Sequence, residues 1–179
     1  MSRPDGPSND YTPIAELQAT MAASDPAAWS STFMTNVQAP YALTVGLLHL
    51  LAASPTNGRV INISSIGAIM TDPNVHQPAY QVSKAALDHL TRILASKFRQ
   101  IGVRVNGIAP GYFPSAMNNP KNPKSMVSRS DELVPLKRAG REDDIAGTAI
   151  WLASPAGSYI DGQVIVVDGG RSWAWVQMK

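Results

Sequence analysis

Three short apolar runs, each followed by turn-forming residues, constrain the fold of this chain more than any other sequence feature. They cover residues 59–63, 103–108 and 163–167 and are followed by Ser-Ser, Ala-Pro-Gly and Asp-Gly-Gly. The first run is β-branched and apolar at almost every position, which is typical of a strand buried on both faces of a parallel sheet. Helical patterns separate the runs, so the sequence predicts an α/β protein with three strands flanked by helices.

Helical periodicity and capping residues predict four main helices. Asp25 or Ser24 can cap a long helix that begins at Pro26, because proline is favoured in a first helical turn. Pro40 lies inside that helix and should bend it by removing one hydrogen bond. The predicted helices cover residues 13–23, 26–53, about 79–100 and 141–152.

The distribution of turn-forming residues predicts how the chain is organised. Residues 1–12 are rich in Pro, Gly, Asn and Asp and are predicted to be coil. Residues 13–170 form one domain, in which 118–134 is predicted to be a flexible lid over a binding site. Residues 171–179 are a tail too short to be a domain.

Tyr80 and Lys84 are the main candidates for acid–base chemistry. They are four residues apart, so they share one face of the predicted helix. An ammonium group one turn away favours the phenolate and lowers the tyrosine pKa toward the working range of a proton donor. The alternative interpretation is an exposed helical pair without a function. Ser64 and Ser65 end the first strand, at the edge where open α/β sheets bind ligands.

Composition excludes several classes of protein. The chain has 44% hydrophobic and 16% charged residues and a net charge of +2 without a Lys/Arg-rich run, so we expect a globular protein that does not bind nucleic acid. It contains no cysteine and its three histidines are far apart, so no metal site is predicted. The most apolar run, 45–53, is too short to span a membrane, and the polar N-terminus is unlike a secretory signal. We therefore expect a soluble, cytoplasmic protein.

Four ordered sequence blocks resemble the short-chain dehydrogenase/reductase family. The resemblance extends from Trp29 to Gly170 and is closest to the branch of bacterial ketoacyl reductases and fungal secondary-metabolism reductases. The blocks are Gly58-Arg-Val-Ile-Asn-Ile-Ser-Ser-Ile-Gly67, Tyr80-Gln-Val-Ser-Lys84, Val103-Arg-Val-Asn-Gly-Ile-Ala-Pro-Gly-Tyr-Phe-Pro-Ser115 and Tyr159-Ile-Asp-Gly-Gln-Val-Ile-Val-Val-Asp-Gly-Gly170.

The resemblance implies a set of catalytic residues for reducing a ketone, or oxidising a secondary alcohol, by hydride transfer. Tyr80 would be the general acid/base, and Lys84 would lower its pKa and bind the nicotinamide ribose. Ser65 would hydrogen-bond the substrate oxygen, with Ser64 as the second choice. Asn36 would hold a water in the proton relay to Lys84.

The resemblance also implies binding residues and partners. It favours NADP(H) over NAD(H) and requires no metal. Cofactor contacts would come from Tyr80, Lys84, Pro110, Gly111, Phe113 and Ser115; a small carbonyl or alcohol substrate would contact Ser65, Ile66, Gly67, Tyr112 and Met117. The helices at 26–53 and 79–100 would form a homo-oligomer, and Trp173 and Trp175 would pack on a partner subunit.

The sequence departs from the family in one large respect. It contains no Thr-Gly-x-x-x-Gly-x-Gly turn and no Asn-Asn-Ala-Gly turn, so the first half of the doubly wound, Rossmann-like fold is missing. The predicted sheet is therefore incomplete, and strand 59–63 would be an apolar edge that favours association.

Three alternatives follow from this departure. The first is a dehydrogenase whose N-terminal cofactor-binding half is absent from this chain, which would then be weak or inactive alone. The second is a short, non-catalytic relative that binds a full-length dehydrogenase. The third is a remnant that does not fold stably. Intact Asn36, Ser65, Tyr80 and Lys84 favour the first.

Overall fold

The fold contains a three-stranded parallel sheet in the order β1–β2–β3, as the sequence predicts. The computed structural model describes residues 13–71, 77–123 and 125–177. The strands are β1 (Arg59–Ile63), β2 (Arg104–Pro110) and β3 (Val164–Val167). Ile63 pairs with Ile108, and Pro110 pairs with Val167, so the three strands end at the same edge of the sheet.

Eight α-helices surround this sheet in the described part of the chain. The predicted helix at 79–100 is confirmed, and a 3₁₀ turn at Arg99–Ile101 extends it to Gly102, whose φ of 70° ends it. The predicted tail contains a helix of its own. The helices are α1 (Ile14–Ala22), α2 (Pro26–Phe33), α3 (Ala39–Gly46), α4 (Leu48–Ala52), α5 (Pro78–Phe98), α6 (Ser130–Leu133), α7 (Glu142–Ala153) and α8 (Arg171–Gln177).

The predicted helix at 26–53 is divided into several pieces. Asp25 caps α2 as predicted, because its carboxylate accepts a hydrogen bond of 3.0 Å from the Ala27 amide. A π-helical turn, Met34–Gln38, joins α2 to α3. Pro40 follows this turn and has no amide hydrogen, so the Asn36 carbonyl lacks an α-helical donor. At the position of the predicted bend, the helix changes from α-helical to π-helical hydrogen bonding for one turn.

Helices cover the two faces of the sheet. Val103 and Val105 pack against Leu94, Ala95 and Phe98 of α5 in one buried cluster. Side chains alternate along a strand, so Arg104 points to the other face, where its guanidinium donates to the Leu152 carbonyl at the end of α7. The central strand β2 is therefore buried, whereas most residues of β1 and β3 are only half-buried, so the prediction that strand 59–63 is buried on both faces is wrong.

A buried asparagine links β2 to the start of β3. Asn106 is 2% exposed. Its side-chain amide donates to the Ile160 carbonyl at 2.9 Å, and its side-chain oxygen accepts from the Gln163 amide at 3.0 Å. This pair of bonds fixes where β3 begins beside β2.

One side of β1 has no strand partner among the described residues. β1 pairs with β2, and Ile63 at its end is 51% exposed. An open groove of about 500 Å³ lies between this side and α3; its lining includes Asn36, Leu43, Val60, Ile63 and Lys84. This edge is the one expected from a sheet that lacks its first half.

The predicted lid is partly packed against the domain. Near its C-terminal end Val127, Ser130 and Val134 are buried, and the Leu136 amide just beyond it donates to the Gly169 carbonyl. Residues 118–123 form turns with exposed side chains, apart from the partly buried Asn118. The opening and closing of this segment stay a prediction. The coil predicted at 1–12 and the side chain of Trp175 lie outside the described residues.

Candidate active site

Ser65 and Tyr80 approach each other across Gly67. Ser65 lies two residues after β1 in an extended conformation, and its hydroxyl accepts a 3.0 Å hydrogen bond from the Gly67 amide. A Cβ atom at Gly67 would lie 3.3 Å from Ser65 Oγ and 3.5 Å from Tyr80 Cε1. The absence of a side chain at residue 67 thus leaves a space between the Ser65 hydroxyl and the edge of the Tyr80 ring.

Lys84 lies next to the Tyr80 ring and on the open side of β1. Its Nζ atom is 5.7 Å from the centre of that ring and donates a 2.8 Å hydrogen bond to the Ile63 carbonyl. The amide in the same peptide group, that of Ser64, donates to Ile108 on β2. A trans peptide points its carbonyl away from its amide, so the Ile63 carbonyl faces the unpaired side of β1.

Partial burial changes the acid–base properties of Lys84. Loss of hydration lowers the pKa of its ammonium group, and the nearby Asp88 carboxylate opposes this effect. The side chain is half-buried, neither fully exposed nor fully enclosed. Lys84 is thus not a fully exposed surface lysine, and whether the Tyr80–Lys84 pair has a function stays a prediction.

Asn36 contacts the helix that carries Tyr80 and Lys84. Its side-chain amide donates to Ser83 Oγ at 3.0 Å, and Ser83 donates to the Tyr80 carbonyl at 2.7 Å. Asn36 and Lys84 both line the groove beside β1. The Asn36 side chain therefore anchors the first turns of α5, and its role in holding a water stays a prediction.

The predicted cofactor residues after β2 occupy the carboxyl end of the sheet. Gly111 donates its amide to the Val167 carbonyl at 2.9 Å, and a Cβ atom there would lie 2.7 Å from Asp168 Cβ. Gly111 is thus in close contact with Asp168. Pro110 ends β2, and the Ser115 hydroxyl is exposed and accepts from the Asn118 amide.

The predicted substrate residues differ in their burial and do not line one common cavity. Ile66 is buried, whereas Met117 is largely exposed. The Tyr112 hydroxyl accepts a 3.2 Å bond from Arg171 Nε. Tyr112 and Phe113 line a second cavity, of about 570 Å³, which shares no lining residue with the groove beside β1.

The Phe113 side chain packs directly against Gly140. Its ring lies where a Cβ atom at Gly140 would be, and the Gly140 amide donates to the Tyr112 carbonyl at 2.9 Å. The structure brings Asn36, Ser65, Gly67, Tyr80 and Lys84 together, and it places Tyr112 and Phe113 in a separate cavity.

Sequence reasoning missed two polar residues of α5. Ser83 is fully buried and joins Asn36 to Tyr80. Asp88 is buried one turn after Lys84. The signal for Asp88 was present: an acid at the i+4 position from Lys84, directly after the buried Leu87. Ser83 gave no such signal, since its partner is far away in sequence.

Residues 13–71, 77–123 and 125–177 contain neither a candidate metal cluster nor a candidate membrane span. No group of three or more His, Cys, Asp or Glu side chains in these ranges could hold a metal ion. None of the helices described there has the length and apolar character needed to cross a membrane.

Comparison with known proteins identifies the family. Residues 9–172 match the family model described as enoyl-(acyl carrier protein) reductase. The fungal short-chain dehydrogenase/reductase PhomF' of Diaporthe leptostromiformis is 36% identical over 170 residues, which cover 89% of this chain and 58% of that protein. The chain belongs to the short-chain dehydrogenase/reductase family.

Solved structures agree with the fold. The RhlG/NADP active-site complex of Pseudomonas aeruginosa superimposes with a TM-score of 0.73 at 38% identity, covering 82% of this chain and 60% of that one. The gluconate 5-dehydrogenase of Burkholderia cenocepacia J2315, in complex with NADP and tartrate, gives a TM-score of 0.77 at 27% identity, covering 86% of this chain and 59% of that one. The chain thus spans about three fifths of the length of these relatives and has a Rossmann-like fold in common with them.

The residues present fit one end of a dinucleotide. An ammonium group has three N–H donors, and the bond to Ile63 uses one of those on Lys84. The groove of about 500 Å³ beside Lys84 is open to solvent and has the size of a small-molecule site. The sequence has no Gly-rich strand–turn–helix to hold a pyrophosphate. The residues present therefore fit the nicotinamide ring and the ribose attached to it, and they do not fit the pyrophosphate.

Proposed function

We propose that this chain carries the catalytic part of an NAD(P)(H)-dependent oxidoreductase that reduces a ketone or oxidises a secondary alcohol. The observation that supports it most is the approach of Ser65 and Tyr80 across Gly67, with Lys84 beside the Tyr80 ring. In this proposal the substrate carbonyl oxygen would accept hydrogen bonds from both the Ser65 and the Tyr80 hydroxyls. Such a pair of donors stabilises the negative charge that develops on the oxygen.

Each side chain has a separate role in this proposal. A bound nicotinamide would supply or accept the hydride. Tyr80 donates its hydroxyl proton to the substrate oxygen, and Ser65 holds that oxygen by a second hydrogen bond. The Lys84 ammonium stabilises the phenolate left on Tyr80 and binds the ribose. Asn36 holds α5 through Ser83, and it would also hold the water of the proton relay.

We propose NADP(H) as the preferred cofactor. Two of the relatives, RhlG and the gluconate 5-dehydrogenase, are complexes with NADP. Besides Tyr80 and Lys84, the contacts would come from the segment that follows β2, namely Pro110, Gly111, Phe113 and Ser115. The substrate would lie against Gly67 and beneath the lid at 118–134, close to Ile66, Tyr112 and Met117.

We also propose that the 179-residue chain has low activity by itself. Its sequence lacks a Gly-rich turn, so the pyrophosphate and adenosine would have no anchor. Without that anchor the nicotinamide would rarely reach the geometry for hydride transfer. A full-length relative or a longer form of this protein would supply the missing contacts.

A homo-oligomer is proposed through α2–α4 and α5. Tyr41 and Val45 on α3 and Val82 and Ile93 on α5 are each more than one third exposed. Apolar groups on two neighbouring helices favour association with a second copy.

The deciding experiment is NADPH binding to the purified chain by calorimetry, with Lys84→Ala and Lys97→Ala as a matched pair. Both lysines are on α5, and Lys97 lies near the other end of that helix. We expect weak NADPH binding that Lys84→Ala abolishes and Lys97→Ala leaves unchanged. A folded sample without NADPH binding, or equal binding by both variants, contradicts an organised cofactor site.

A further inference from the structure

The Ser83 hydroxyl joins two helical segments that are far apart in sequence. Ser83 lies on α5 and is fully buried. Its hydroxyl donates a 2.7 Å hydrogen bond to the Tyr80 carbonyl and accepts a 3.0 Å bond from the side-chain amide of Asn36, which belongs to the π-helical turn Met34–Gln38. A buried hydroxyl lowers stability unless it is hydrogen-bonded, so these two contacts compensate its burial.

The bond to the Tyr80 carbonyl is the ordinary part of this arrangement. A helical serine commonly donates to the carbonyl three or four residues before it. Ser130, at the start of α6, is also buried and makes the same kind of bond to the Val127 carbonyl at 2.8 Å. Among the described residues the Ser130 hydroxyl bonds only to carbonyls of its own segment. What distinguishes Ser83 is the bond that it accepts from Asn36.

The hydrogen-bonding capacity of a hydroxyl determines how the Asn36 amide is oriented. A serine has one hydroxyl proton, and Ser83 uses it for the Tyr80 carbonyl. The Ser83 oxygen can therefore only accept, so Asn36 has to present its NH₂ group to Ser83. The Asn36 Oδ1 atom is then directed away from Ser83, and no residue that the structure describes donates a hydrogen bond to it.

The orientation of this amide matters because Asn36 and Lys84 line the same groove beside β1. An ammonium group has only donors, and one of the three on Lys84 is used by the Ile63 carbonyl. With the Asn36 oxygen available, the groove combines an acceptor with the remaining lysine donors. A water or hydroxyl between them can accept from Lys84 and donate to Asn36. With the amide reversed, both residues would offer donors only.

We propose that Ser83 is a positioning residue, which holds the NH₂ group of Asn36 and thereby leaves the Asn36 oxygen as the acceptor that complements Lys84 in the groove. The use of this pair in a proton relay rests on the proposed function, whereas the orientation of Asn36 does not. Ser83 is fully buried, so it acts through Asn36 and not on the substrate.

The test is NMR of the Asn36 side-chain amide in the 179-residue chain, assigned with Asn36→Ala. In the wild type we expect nuclear Overhauser contacts between the NH₂ protons and the Ser83 β protons. Ser83→Ala removes the acceptor, so the NH₂ protons should exchange with solvent about two- to tenfold faster. Ser83→Thr keeps the hydroxyl and should restore the slower exchange. Ser130→Ala, which removes only bonds to local carbonyls, is the matched control and should leave the exchange of Asn36 unchanged.

Unchanged exchange in folded Ser83→Ala overturns the proposal, and so does an equal increase in Ser130→Ala, which would indicate a general loosening. If Ser83→Ala does not fold, the wild-type protein decides: the contacts between the Asn36 NH₂ protons and Ser83 support the proposal, and their absence overturns it. NADPH binding is measured on the same samples. An Asn36 amide held by Ser83 without NADPH binding contradicts the proposed function and leaves the role of Ser83 standing, and NADPH binding with an unheld amide does the reverse.

Discussion

The Lys84 ammonium and the Ile63 carbonyl are joined by a 2.8 Å hydrogen bond on the unpaired side of β1. The Ser64 amide in the same peptide group bonds to β2 in the opposite direction. The position of the Lys84 ammonium group therefore depends on the position of the end of β1. Its distance from the Tyr80 ring depends on how α5 packs against β1.

The hydroxyl of Tyr80 should be required for turnover but not for folding. Removing a positioned proton donor typically lowers a rate by about 10²–10⁴-fold. We expect Tyr80→Phe to reduce NADPH-dependent ketone reduction by this factor while NADPH binding is retained. Tyr159→Phe, at a fully exposed tyrosine, is the control and should behave as wild type. Equal rates for wild type and Tyr80→Phe would exclude Tyr80 as the acid.

Asn106 should be one of the most sensitive polar positions in the fold. Asn106→Leu leaves the Ile160 carbonyl and the Gln163 amide without their buried partner, and each unsatisfied group costs about 1–3 kcal/mol. We expect the free energy of unfolding, measured in urea, to fall by about 2–4 kcal/mol. Asn119→Leu, which removes an exposed turn contact, should cost less than about 1 kcal/mol. Similar losses for both would show that burial does not decide the effect.

Asp144 should stabilise the protein fully above about pH 4 and progressively less as the pH falls from 4 to 2. Two bonds from the Arg138 guanidinium, followed by the Arg141 amide, lower the pKa of the Asp144 carboxyl from 3.8 to about 2. A lowered folded-state pKa gives stability that is present above the unfolded value and lost as pH falls through the folded value. Thermal unfolding should therefore show a larger fall in Tm between pH 4 and pH 2 for wild type than for Asp144→Asn. Asp143→Asn should follow the wild type; a parallel response of all three proteins contradicts the prediction.

The contribution of Asp88 to stability should depend on pH in the opposite direction to that of Asp144. Its folded-state pKa is raised above 3.8, so its contribution is most favourable below that value and is lost as pH rises through the folded pKa. We expect Asp88→Asn to unfold at a higher Tm than wild type at neutral pH, with a difference that shrinks on acidification. A Tm for Asp88→Asn below that of wild type at neutral pH would mean that the carboxylate stabilises the fold.

Ile93 should belong to the proposed interface between copies. It is exposed on the face of α5 that also carries Val82, and a charge there would have to be buried on association. Light scattering should show Ile93→Lys as a smaller species than wild type. Ile150→Lys, at an exposed position on α7, is the control and should keep the wild-type mass. Identical masses for all three would remove α5 from the interface.

Short-range signals in the sequence were enough for much of the fold. The strands at 59–63 and 163–167 and the cap at Asp25 depend on neighbouring residues, and their predicted positions agree with the structure within one or two residues. The π-helical turn before Pro40 was not predictable from the proline alone, because a missing amide can bend, break or rewind a helix. Which of these occurs depends on packing against α5.

The parts of the candidate site that belong to a sequence motif were predictable. The parts that depend on packing between residues far apart in sequence were not. The motif residues Ser65, Tyr80 and Lys84 lie close together. The contact of Asn36 with Ser83 joins residues far apart in sequence, and no local pattern specifies it. The separate cavity at Tyr112 and Phe113 arises because Gly140 admits the Phe113 ring, which depends on a distant loop.

The open side of β1 also makes the protonation of Lys84 sensitive to assembly. A strand that pairs there would offer an amide to the Ile63 carbonyl and compete with the Lys84 ammonium for it. By thermodynamic linkage, any change in the Lys84 proton affinity on pairing is matched by an equal pH dependence of the pairing itself. Pairing of a further strand with β1 and protonation of Lys84 would then be coupled equilibria.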